Sequence, residues 1–122
     1  DFRLAENYAE LKDPINVLHY GQRALDFFTV LDDHRKMWTL KYLIGCSHYL
    51  LADKESAGQL LDEARNLAQA MGWKEWEFLI KVDEELAKIY EANLMPAQAA
   101  EMRRRVASIK ELAAKNEINE AA

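Results

Sequence analysis

The sequence has few of the residues that bend or cross-link a chain. Its 122 residues include 4 Gly, 2 Pro and 1 Cys. An all-β sandwich needs turn residues about every 8–12 positions, so the shortage of Gly and Pro argues against that class. Cys46 cannot form an internal disulfide, which is typical of a reducing compartment and leads us to expect a cytoplasmic protein.

Positive charge is also scarce. Lys and Arg total 16 against 21 Asp and Glu, for a net charge of -5. Nucleic acids and anionic membranes attract the opposite balance, so we expect neither as a partner. No segment approaches the roughly 18 consecutive apolar residues of a transmembrane helix. The chain starts with neither Met nor a signal-peptide pattern, and we expect it to be a fragment of a longer protein.

The residues that are abundant favour helices. Half of the chain is hydrophobic, and the apolar residues recur at three- and four-residue spacing. Asp13-Pro14 indicates a helix start, because Asp is a good N-cap and Pro fits the first helical position. Similar breaks occur at Asp32-Asp33, Ala52-Asp53, Gly72 and Met95-Pro96. The pattern predicts six helices near 1–11, 14–31, 33–52, 54–71, 73–93 and 96–115, followed by a polar tail at 116–122. The breaks are short enough only for antiparallel helical hairpins.

A pattern of small residues occurs three times. A small residue is followed after three positions by an aromatic residue or His, then by small residues nine and seven positions further on. The three copies are Ala5, Tyr8, Val17 and Ala24; Gly45, His48, Ala57 and Ala64; and Ala87, Tyr90, Ala99 and Val106. Small residues at these offsets allow neighbouring helices to approach closely, so the pattern reflects packing.

The central copy, with a turn at Asp53, resembles the tetratricopeptide repeat, a helix–turn–helix unit of about 34 residues. The copies start 40 and 42 residues apart, which is similar to the longer-helix variety found in bacterial regulators and sensors. The resemblance implies an all-α, right-handed superhelical array of three antiparallel hairpins in a single domain over 1–122. Repeat 1 would cover 1–32 and lack its first residues, repeat 2 would cover 33–72, and repeat 3 would cover 73–115. Another kind of helical hairpin repeat is the alternative.

The resemblance also implies a binding surface. In this family a concave wall is supplied by the first helix of each hairpin, at positions one turn apart. On this chain those positions are Phe2, Glu6 and Ala9 in repeat 1; Tyr42, Cys46 and Tyr49 in repeat 2; and Lys81, Glu84 and Lys88 in repeat 3. Family members that clamp a C-terminal carboxylate use Lys and Asn where this chain has Phe2 and Glu6, so we do not expect that ligand.

The implied function is a protein-interaction or sensory module attached to a signalling or transcription output domain. It would bind an extended or helical segment of a partner protein, with apolar side chains over Tyr42 and Tyr49 and acidic ones near Lys81 and Lys88. Self-association as a homodimer is one alternative. An all-α enzyme or small-ligand domain is another, and an apolar pocket with converging polar groups would distinguish it.

Candidate catalytic and metal-binding groups are scattered. His19 is isolated, His34 is followed by two cationic residues, and Cys46 and His48 are two apart and therefore face different ways on a helix. All four glycines are single, so there is no phosphate-binding loop. We therefore expect no catalysis, no metal and no cofactor.

Two charged features interrupt the helical pattern. Asp83 lies on the apolar face between Ile80 and Leu86, either as a polar contact at a partner surface or, as we favour, at a helix edge where its carboxylate reaches water. The run at 103–105 contains three arginines. Successive helical residues point about 100° apart, so the run predicts a solvated face and not one basic patch.

Overall fold

A computed structural model describes residues 1–71 and 75–115, and this part of the chain is helical throughout with short connections. Its six helices are Phe2–Glu10 (α1), Pro14–Val30 (α2), His34–Leu50 (α3), Lys54–Ala70 (α4), Trp76–Ala92 (α5) and Pro96–Ala114 (α6). The described ranges contain no strand. The prediction of an all-α class with six helices is confirmed, and the hand of the array stays a prediction.

Some predicted features lie outside the described residues. These are the helix end at Gly72, the start of the fifth helix at 73, and the polar tail at 116–122. None of the helices described is long and apolar enough to cross a bilayer.

The chain divides into two compact units, one over 1–64 and the other over 65–122. The first unit holds α1, α2, α3 and the first part of α4. The second holds the end of α4 together with α5 and α6. The expectation of a single domain stays a prediction.

One kind of turn joins most of the helices. Three residues separate the helices at four connections, and the middle residue has positive φ at each: Lys12 (56°), Asp32 (57°), Ala52 (66°) and Leu94 (58°). The next residue donates its backbone N–H to a carbonyl five positions earlier, as from Asp13 to Tyr8 at 3.0 Å and from Asp53 to His48 at 2.8 Å. This is the hydrogen-bond pattern of a Schellman motif.

The turn explains the length of the sequence repeat. Helices α2 and α3 each have 17 residues, and a three-residue turn follows each of them. One helix plus one turn therefore spans 20 residues, and one hairpin spans 40. The interval of 42 contains the α4–α5 connection, where five residues separate the helices.

Aspartates begin three of the helices. Each side chain accepts a backbone N–H of the first turn: Asp13 from Asn16 at 3.3 Å, Asp33 from Lys36 at 3.3 Å and Asp53 from Ser56 at 3.2 Å. The backbone N–H and then the hydroxyl of Ser56, with a smaller effect of His48, hold the pKa of Asp53 below its ordinary value. The predicted helix starts at these aspartates are confirmed.

The small residues of the repeated pattern lie at the buried positions. Ala5, Ala57 and Ala64 have no exposed surface. At Gly45 a Cβ would lie 3.1 Å from the Leu61 Cγ and 3.3 Å from the backbone oxygen of Ala57. Helices α3 and α4 are therefore in close contact at this glycine.

The two glycines of this hairpin should respond oppositely to alanine. Gly58 is inside α4 and a Cβ there would meet nothing within 4 Å, so Gly58→Ala should raise the free energy of unfolding by about 0.5–1 kcal/mol through helix propensity. Gly45→Ala should instead lower it by roughly 1 kcal/mol, because the backbone of α4 must move. Urea denaturation measures both variants. An equal increase in the free energy of unfolding for Gly45→Ala and Gly58→Ala would show that the hairpin is not closely packed at Gly45.

Candidate binding cleft

A cleft opens in the first unit where α1 begins, α2 ends and α3 begins. Its volume is about 680 Å³, within the range of ligand-binding clefts in proteins. Aromatic and charged side chains dominate its lining, which consists of Asp1, Phe2, Arg3, Glu6, Arg23, Ala24, Phe27, Phe28 and Lys36.

Three phenylalanines form the apolar part of the cleft. Phe28 packs edge-on against Phe2, with ring centroids 6.0 Å apart, and against Phe27, with centroids 5.1 Å apart. The Phe27 side chain remains 59% exposed. An exposed aromatic side chain held by its neighbours offers a large contact area at a low cost in conformational entropy.

Cationic groups lie beside the rings. The Lys36 Nζ lies 5.0 Å from the centroid of Phe2 and 5.6 Å from that of Phe28, a cation–π arrangement that holds this lysine over the cleft. The Arg23 Nε lies 3.4 Å from an Asp1 carboxylate oxygen, and the Arg23 side chain is 62% exposed. An exposed ion pair of this kind contributes little to stability, so Arg23 can exchange partners easily.

The arrangement suits a ligand with two features. The rings of Phe27 and Phe28 can take up an apolar side chain, and the cationic groups of Lys36 and Arg23 can attract a carboxylate. Three cationic and two acidic side chains line the cleft, in a chain with a net charge of -5. The lining therefore carries one more cationic than acidic side chain, on a protein of acidic net charge.

No protein-family model, curated protein or solved structure matches this chain.

The structure brings together two of the predicted groove residues in the first unit. Phe2 and Glu6 both line the cleft. Tyr42, Cys46 and Tyr49 lie on α3, each half-buried, and none of them is part of that lining. The part of the groove predicted on α3 does not line the cleft and stays a prediction.

The other predicted groove residues belong to the second unit. Lys81, Glu84 and Lys88 are exposed on α5, and the Lys88 Nζ lies 3.2 Å from a carboxylate oxygen of Glu85. Glu84 and Lys88 line a small hollow of about 240 Å³. The side-by-side placement of the tyrosine and lysine pairs involves both units and stays a prediction.

The binding surface expected from the sequence did not include Phe27, Lys36 or Arg23. One signal in the sequence points to Phe27, namely the adjacent aromatic pair Phe27-Phe28. Two neighbouring helical residues point about 100° apart, so both cannot face the same core, and one of the rings must be more exposed.

The expectation that the Asp83 carboxylate reaches water is wrong. Asp83 is 0% exposed, and one carboxylate oxygen accepts a hydrogen bond from the Arg65 Nε at 2.6 Å. The Arg65 Nη1 donates to the Gln69 Oε1 at 2.5 Å. Burial of a lone carboxylate is costly, so a polar residue on an apolar helix face requires a buried partner, here provided by α4.

Potential metal ligands are dispersed across the described residues. Across 1–71 and 75–115, no group of three or more His, Cys, Asp or Glu side chains could hold a metal ion. His48 Nδ1 lies 3.4 Å from an Asp53 carboxylate oxygen, at the turn after α3, and Cys46 is half-buried.

The buried ion pair provides a stability test. Asp83→Ala should lower the free energy of unfolding by about 3–5 kcal/mol, because it leaves the Arg65 charge buried without its carboxylate. The double variant Arg65→Met/Asp83→Leu should recover most of that loss, since it removes both charges and retains apolar volume. Chemical denaturation of each variant measures the effects.

An exposed pair serves as the control for this test. Glu85→Gln removes the carboxylate near Lys88 and should cost at most about 0.5 kcal/mol. If Asp83→Ala cost no more than Glu85→Gln, the pair would not be buried as described.

Proposed function

We propose that this chain is a non-catalytic protein-interaction module, similar to tetratricopeptide arrays, that binds a peptide segment of a partner protein. The observation that carries the proposal is the cleft in which Phe27 is exposed beside Lys36 and Arg23. In this proposal the module belongs to a cytoplasmic regulatory or sensory protein and acts on a signalling or transcription output domain.

The apolar surface extends beyond the cleft, which favours a peptide over a small molecule. Val30 is 85% exposed and Leu31 is 57% exposed, three and four residues after Phe27. Residues at these spacings share one side of a helix, so the exposed apolar surface continues along the end of α2. A segment of several residues can cover this length, and a small ligand cannot.

The charges define the partner segment further. It should carry an apolar or aromatic side chain for the phenylalanines and an Asp or Glu nearby for Lys36 and Arg23. Tyr42 and Tyr49 on α3, and separately Lys81 and Lys88 on α5, are proposed as further contacts for a longer segment. Nucleic acid is disfavoured as a partner by the acidic net charge.

Self-association is the second candidate, because the same exposed apolar side chains could be covered by another copy of the chain. The exposure of Phe27, Val30 and Leu31 also supports this alternative. Sedimentation equilibrium separates the two candidates, since only self-association gives a mass that rises with protein concentration.

Selection from a random-peptide phage library tests the binding proposal. Selected peptides should combine an aromatic or aliphatic residue with Asp or Glu, and Phe27→Ser should weaken their binding about tenfold by removing an anchor. Lys36→Gln should chiefly slow association and reduce its salt dependence. Fluorescence polarisation and stopped-flow mixing measure these effects.

Leu94→Ser is the matched control, because Leu94 is 89% exposed and belongs to the second unit. It should leave the peptide affinity unchanged. Selected peptides that bind Phe27→Ser as tightly as the unaltered chain would refute the cleft as the binding site. A loss of binding in Tyr42→Ala/Tyr49→Ala that Phe27→Ser does not share, with both folds intact by circular dichroism, would locate the main site on α3 instead.

A further inference from the structure

A second cavity, within the 65–122 unit, contains an unusual concentration of arginine. It has a volume of about 370 Å³ and lies among the end of α4, the start of α5 and the middle of α6. Its lining consists of Arg65, Gln69, Leu79, Glu101, Arg104, Arg105, Ser108 and Ile109, of which Leu79 and Ile109 are almost fully buried in the wall. This cavity is separate from the cleft proposed to bind peptides.

Arg65 is fixed in place within this cavity. Its Nε and Nη1 are engaged by Asp83 and Gln69, and the residue is only 7% exposed. The Asp83 carboxylate offsets most of the Arg65 charge. The guanidinium is therefore a rigid hydrogen-bonding group in the wall and not an additional source of net charge.

The three arginines of the 103–105 run have different surroundings. Arg103 pairs with Glu91, and Arg104 pairs with Glu101. Hydrogen bonding and charge from Arg104, with a smaller effect of Arg105, lower the pKa of Glu101, so this carboxylate is ionised and engaged with Arg104.

Arg105 has no carboxylate at ion-pair distance in the described residues, and only its longer-range charge acts on Glu101. Its side chain is half-buried and its Nη2 contacts the Met102 sulfur at 3.0 Å, while its buried Nε has no hydrogen-bond partner in the described part of the chain. No Asp or Glu of the described residues forms an ion pair with it. A partly buried charge without an anionic partner is costly, so an external anion at the accessible part of the Arg105 side chain is a favourable addition.

We propose that this cavity binds a small organic monocarboxylate. The balance of charge favours one negative charge, because Asp83 offsets Arg65 and Glu101 offsets Arg104, which leaves Arg105 in excess. The carboxylate lies against Arg105 and the Ser108 hydroxyl, and the rest of the ligand lies beside the wall in which Leu79 and Ile109 are buried. Guanidinium groups match carboxylates in geometry as well as in charge.

Benzoate is a suitable probe, and backbone amide NMR titration of the whole chain is a suitable measurement. The dissociation constant for so small a ligand should be on the order of 1 mM. Amide shifts should change around Arg105 and Ser108 and not around Phe27 and Phe28. Benzamide, which lacks the charge, should bind at least about tenfold more weakly, because hydrogen bonds to charged groups are the stronger ones.

Two neighbouring arginines provide a matched comparison. Arg105→Gln should weaken benzoate binding about tenfold, whereas Arg103→Gln should leave it unchanged because Arg103 lies outside the cavity lining. Ser108→Glu and Ala107→Glu form a second pair at exposed positions of α6, where a folding defect is not expected. Ser108→Glu should abolish binding by placing a negative charge in the cavity, and Ala107→Glu should not.

Several results would overturn the proposal. Equal affinities for benzoate in Arg105→Gln and Arg103→Gln would exclude Arg105 as the anion contact. Tighter binding of phenyl phosphate than of benzoate would contradict the single negative charge. Shift changes confined to Phe27 and Phe28, or no shift changes at concentrations well above 1 mM, would exclude the cavity as the site.

Discussion

The regular spacing of the helical hairpins depends on the three-residue turn between helices. Its middle residue takes positive φ, and its last residue both closes the preceding helix and begins the next one. Asp53 shows the double role, because its N–H donates to His48 while its side chain accepts from Ser56. Both hydrogen bonds satisfy backbone groups that helix ends otherwise leave unpaired.

The same turn connects the sequence repeat to the packing. In each repeat copy the residue at the aromatic or His position also supplies the carbonyl that accepts the turn hydrogen bond, as Tyr8, His48 and Tyr90 do. The small residues on either side of each turn then lie at buried positions. The residue spacing of the sequence motif therefore reflects two structural requirements, namely the hydrogen bond of the turn and the close contact between the helices beside it.

Much of the fold was predictable because its signals are local. Asp13 and Asp33 lie next to apolar stripes of helical period, and N-cap preference is a property of a few neighbouring residues. The positive φ of Ala52 and Leu94 was not predictable, since that conformation usually requires Gly. The hydrogen bonds of the turn hold these residues in a conformation that they otherwise avoid.

The candidate sites were less predictable because they depend on contacts between distant residues. Phe2 and Glu6 were expected in a binding surface, but Lys36 reaches the same cleft from another helix. Asp83 was placed at a water-exposed edge because its partner, Arg65, is 18 positions earlier on a different helix. Periodicity describes one helix at a time and contains no information about such partners.

A fixed turn also limits how the length of this chain can change. Each residue added to a helix rotates everything after it by about 100°, so a single insertion in α2 would turn the buried side of its later residues toward water. An insertion in a three-residue turn would break the hydrogen bond that closes the helix. We therefore expect insertions and deletions to be tolerated chiefly at the α4–α5 connection, where five residues and not three separate the helices.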